Sequence, residues 1–124
     1  MDGWLLTLAK KKSAMKTPAA HMTLWCQRQN QVFEFTVSVG IPVQVDTETW
    51  ECSWSLGAIL NHEGVPLKSL TSLLALASGI SFISKFLEGR HELGDRFFFD
   101  SDLSEPIDHI PSIFFGPSSD VEVV

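Results

Sequence analysis

The chain has no tyrosine, only two cysteines and only nine basic residues among its 124. Each shortage removes a class of chemistry. Without tyrosine, one common general acid is missing. Cys26 and Cys52 lack the close spacing of a zinc knuckle or a redox pair, and neither falls at a helix start that would activate a thiol. In a chain with no export pattern they are expected to be reduced thiols on core strands, a disulfide between them being the alternative. The four histidines, His21, His62, His91 and His109, include no pair with three or four residues between them. His62-Glu63 and His91-Glu92 begin like a zinc-protease helix, but the second histidine is absent and both fall in predicted loops. No G-x-S-x-G elbow, phosphate-cradling glycine loop or dinucleotide fingerprint is present. No catalytic residue, metal or cofactor is therefore expected.

Long apolar runs are also missing. The most apolar helical stretch, Leu67 to Leu87, is interrupted by Ser, Thr and Lys, so a span of roughly 20 apolar residues is not predicted. Trp4 to Ala9 is too short for a signal peptide and precedes Lys10, Lys11 and Lys12 instead of following them. A cytoplasmic protein without a membrane partner is expected. From Met22 onward five basic residues face fourteen acidic ones, which disfavours nucleic acid, because neutralising phosphates takes a basic patch.

What is present suits one domain. A hydrophobic content of 44% with 19% charged residues is ordinary globular composition, and the length leaves room for a single core. Residues 1–21 hold four lysines but no alternation or helical stripe, and are read as a mobile extension; 22–116 form the domain and 117–124 a frayed tail.

Period-two alternation predicts strands at Met22–Gln29 and Gln31–Val39, joined across Asn30 as a hairpin. The second places Phe33, Phe35, Val37 and Val39 on one face. Gly40-Ile41-Pro42 breaks the pattern before a short stretch at Val43–Val45. A further strand, Thr49–Leu56, puts Trp50, Cys52, Trp54 and Leu56 on one side. Spacings of three and four predict a long helix over Pro66–Glu88, with Pro66 in its first turn and Gly89 as its cap. Asp95–Phe99 reads as a short strand, and Pro106 and Pro111 bracket a single helical turn. The class is α+β, a small antiparallel sheet of three to four strands packed against one long α-helix.

Three functional expectations follow. Nine acidic residues lie between 88 and 124 against Arg90 and Arg96, so Asp95, Asp100, Asp102, Glu105 and Asp108 are candidates for a face that binds a basic protein, as an immunity-like protein would cover a toxin. Plain solubility is the competing reading. The run Asp100 to Glu105 starts like a calcium loop but lacks glycine at the sixth position and glutamate at the twelfth, which is Pro111. A cleft between helix and sheet near Trp50, Cys52 and Trp54 is the candidate site of a small-ligand-binding or enzymatic domain, although large aromatics on an apolar strand face are more often core. A homodimer through the helix face or a strand edge is the third.

One pattern has a wider likeness. Val39-Gly40-Ile41-Pro42, then Trp50-Glu51-Cys52-Ser53-Trp54-Ser55-Leu56, then Gly64 before Leu67-Lys68-Ser69-Leu70 and Leu74-Ala75-Leu76-Ala77 resembles a family of small uncharacterised bacterial proteins. The resemblance covers roughly Phe33 to Leu87. It implies a short antiparallel sheet followed by one long helix, and no assigned activity. Leu67 or Lys68 stands where that family often has an acidic residue, and Thr71 where it often has glutamine.

Overall fold

Alternation of apolar and polar side chains builds the first two strands. In the computed structural model, which describes residues 18–60 and 64–115, β1 (Ala20–Arg28) and β2 (Gln31–Val39) form an antiparallel hairpin in which Leu24 faces Phe35 and Met22 faces Val37. Its tight turn takes the left-handed conformation at Gln29, φ 56°, and not at Asn30. β1 starts two residues earlier than the pattern predicts, so Ala20 and His21 belong to the sheet and not to an extension. The remainder of that predicted extension, residues 1–17, lies outside the described residues, as does the tail 117–124.

After β2 the chain leaves its sheet. Pro42 has no ladder donor, and β3 (Val43–Asp46) pairs instead with β4 (Thr49–Cys52) in a second sheet. The predicted strand over Thr49–Leu56 therefore divides. At Ser53 the chain crosses back, and β5 (Trp54–Ser55) adds to the edge of β2, with Val39 opposite Trp54. The crossing is pinned by the Gly40 amide, which donates to the Ser53 carbonyl at 2.8 Å. After a 3₁₀ turn at Gly57–Ile59, β6 (Leu67–Ser69) joins the far side of β4. One predicted sheet is thus two antiparallel sheets.

The helix is shifted along the sequence. Pro66 does not open it, since the residues that follow pair with β4 as β6. Helix α1 (Ser72–Glu92) begins at Thr71, whose hydroxyl accepts from the Leu74 amide at 3.1 Å and satisfies one of the unpaired first-turn donors. It runs past Gly89 and ends before Gly94, whose φ of +112° reverses the chain as a side-chain-bearing residue rarely could. β7 (Arg96–Phe98) then pairs with the open edge of β1, giving orders β5-β2-β1-β7 and β3-β4-β6. The last turn, α2 (Ser112–Phe115), forms after Pro111 and not before it.

Helix α1 packs across both sheets. Ile83 and Leu87 meet the inner face of the larger sheet, where Leu24, Cys26, Phe35 and Phe97 are fully buried beside Ile107 and Ile110. Nearer its start, Gly79 lies so close to the smaller sheet that a Cβ there would stand 3.0 Å from the Cys52 Sγ.

Candidate functional site

The two cysteines sit on strands as free, buried thiols. Burial, with the negative field of Asp95, pushes the Cys26 thiol up to about 11, and burial likewise raises Cys52. At neutral pH both stay protonated, so neither presents a nucleophilic thiolate. Cys52 also donates weakly to the Gly40 and Ser53 carbonyls at 3.5 Å, serving the crossing between sheets.

Trp50 and Cys52 lie on β4 and Trp54 on β5 of the other sheet; Cys52 and Trp54 are buried in the core, and Trp50 packs against it. Trp54 is buried, its indole Nε1 donates to the Val65 carbonyl at 3.0 Å, and its ring packs on Phe82 with centroids 4.6 Å apart. A Cβ on Gly64 would overlap the same indole. Trp50 is half-buried. An opening exists elsewhere, an apolar crevice of about 200 Å³ between Met22, Val37, Val39, Ile80, Ile83 and Phe114. It is below the roughly 300–1,000 Å³ of small-molecule sites.

The five acidic candidates separate by role. Asp95 is 3% exposed and is held by two arginines, Arg28 from β1 at 2.9 Å and Arg90 from α1 at 3.0 Å. Burial alone would raise its carboxyl, but hydrogen bonds from Arg28 and then Arg90 outweigh that and hold it below the ordinary value. Its backbone carbonyl also meets Nδ1 of His91 at 3.1 Å. This cluster ties β1, the end of α1 and β7 together. Asp100 caps a surface turn, accepting from the amides of Ser104 and Glu105 as well as the Ser104 hydroxyl. Asp102, Glu105 and Asp108 are exposed. Among the described residues no three metal-ligating side chains converge. His62 and Glu63 lie outside them.

The helix face, offered in the sequence reading as a homodimer surface without named residues, is the outer flank of α1. Leu70, Leu73 and Leu74 are 72%, 73% and 53% exposed, Ala77 is open, and Val65 and Phe82 continue the patch. Beside it runs a shallow groove of about 420 Å³ lined by Leu67, Leu74, Ala77, Ser78, Ser81 and Phe82, with Lys85 at its end. By length and composition α1 could cross a membrane, and only 28% of its most apolar stretch is buried. The signal was available in the sequence: a helix apolar all round needs cover all round. No family model, curated protein or solved structure matches the chain.

Proposed function

We propose that the protein works by binding another protein through the exposed apolar flank of α1. The observation that carries this reading is the exposure of Leu70, just ahead of α1, and of Leu73 and Leu74 in its first turn, beside an apolar groove. Scattered surface leucines are ordinary, but a contiguous apolar patch of this kind marks interaction surfaces. The test replaces Leu73 with a photoreactive diazirine amino acid and irradiates the cells that make the protein. A covalent adduct of defined mass is expected from position 73 and not from Glu34, on the outer face of the larger sheet. Absence of any adduct from position 73 overturns the reading.

A second surface is favoured by charge. No lysine or arginine occurs from Phe97 to Phe115, and Asp102, Glu105 and Asp108 are exposed in that stretch. This arrangement suits a basic protein partner, in the manner of an immunity protein covering a toxin. Replacing the three by Asn, Gln and Asn should then abolish the salt-sensitive part of binding; unchanged binding would remove the idea. Asp95 and Asp100 are unsuitable for that test because each holds the fold or a turn.

A further inference from the structure

The flank of α1 has the form of half of a symmetric helix pair, and we infer that its partner is a second copy of this chain, packed antiparallel across a two-fold axis beside Ala77 and Ser78. The inference rests on the interaction-surface reading above. From Ser72 to Lys85 the flank is about 20 Å long at 1.5 Å per residue, and no charged side chain occurs from Leu70 through Ser84. Two copies therefore meet without like charges across the axis.

Size alternates along this flank in a way that complements itself. Bulky Leu70 stands just ahead of α1 and Leu73 and Leu74 in its first turn, small Ala77, Ser78 and Ser81 occupy the middle, and Phe82 and Lys85 the far end. An antiparallel two-fold places Leu74 of each copy over Ser81 of the other, with Ala77 and Ser78 beside the axis, while Leu73 and Phe82, half a turn apart around α1, border the seam on its two sides. Small residues at the centre allow the axes to approach toward the short end of the 8–10 Å range for packed helices. Glu88 of each copy then comes beside the start of the other α1, whose first turn carries no acidic residue to complement its positive dipole end.

Area agrees with a modest dimer. Leu70, Leu73, Leu74, Val65 and Phe82 expose on the order of 500 Å² per copy, within the ~300–600 Å² of a monomer's biggest apolar patch and, over two copies, at the ~1,000 Å² lower bound of a specific interface. The acidic segment does not oppose the pairing. It follows β7, the edge of the larger sheet farthest from β5, where the chain crosses to the smaller sheet.

Sedimentation velocity of the full chain from 1 to 100 µM provides the test. A species of twice 13.8 kDa is expected, and Leu74→Glu should shift it to monomer with unchanged far-ultraviolet circular dichroism. Ala77→Cys should give a disulfide-linked dimer on mild oxidation, because the axis brings the two positions together, whereas Glu34→Cys should not. A monomer at 100 µM overturns the proposal, whether or not it floats with phosphatidylcholine vesicles. So does a dimer that survives Leu74→Glu, or one in which Ala77→Cys fails to link. A monomer combined with a heavier adduct from position 73 would remove the second copy and leave the interaction surface standing; loss of both would remove both.

Discussion

The two ends of α1 live in different surroundings. Toward its C-terminus, Ile83 and Leu87 are sealed between the larger sheet and the segment carrying Ile107 and Ile110, and Arg90 closes that end on the buried Asp95. At its N-terminus, among the described residues, β4 and β6 of the smaller sheet cover one side, and Leu70, Leu73 and Leu74 are exposed on the other. One helix of nearly uniform apolar character therefore serves two purposes. Where the fold supplies cover, the apolar surface stabilises the monomer; where it does not, the surplus is available to a partner.

Substitutions can break this contrast. The largest effect is expected at the closed end, where Leu87→Ala should cost about 2–5 kcal/mol in urea unfolding through lost transfer energy and a residual cavity. Leu73→Ala at the open end should change monomer stability by under about 0.5 kcal/mol. Comparable losses at both positions would show that the flank is covered within the monomer.

Asp95→Asn is expected to cost about 2–4 kcal/mol, less than for a wholly buried pair because the Arg28 and Arg90 side chains are 34% and 31% exposed. The pH dependence has a definite sign. A carboxyl whose folded value lies below its ordinary 3.8 contributes stability that is present above 3.8 and lost as pH falls through the lower, folded value. Parent protein should therefore lose stability on acidification below about pH 4 more steeply than Asp95→Asn, as read by unfolding midpoints between pH 2 and 7.

At the open end, Thr71→Ala should cost about 1 kcal/mol by removing the hydroxyl that accepts from the Leu74 amide. Gly79→Ala sets a helix-propensity gain of about 1 kcal/mol against the 3.0 Å approach to the Cys52 Sγ. Because that sulfur is buried and held by two carbonyls, a small net loss is expected, reversing to a gain when Cys52→Ala removes the sulfur. Additive effects of the two substitutions would show that the contact is not tight.

Much of the local structure was legible because it depends on local rules. Alternation from Phe33 to Val39 marked β2, spacings of three and four marked α1, and the α+β class followed. The boundaries of α1 were not legible. Pro66 is as suitable for a strand edge as for a helix start, and β6 formed there because β4 offered an unpaired ladder. Gly89 was a plausible cap until Gly94, with Asp95 behind it, provided the chain reversal. Trp50 and Trp54 read as one strand because alternation carries no information about which sheet a residue joins. Asp95 looked like its acidic neighbours because Arg28 is far from it in sequence.

The sequence by itself determined the alternating strands, the apolar helix and the skew of charge toward the C-terminal third, since each is a matter of composition and spacing along the chain. Only the tertiary structure decided that the sheet is two sheets, that Asp95 is a buried tie, and that the leucines opening α1 are exposed among the described residues. Those outcomes depend on which distant segments meet, because long-range ladder pairing and burial are set by the surfaces left over when all elements pack together.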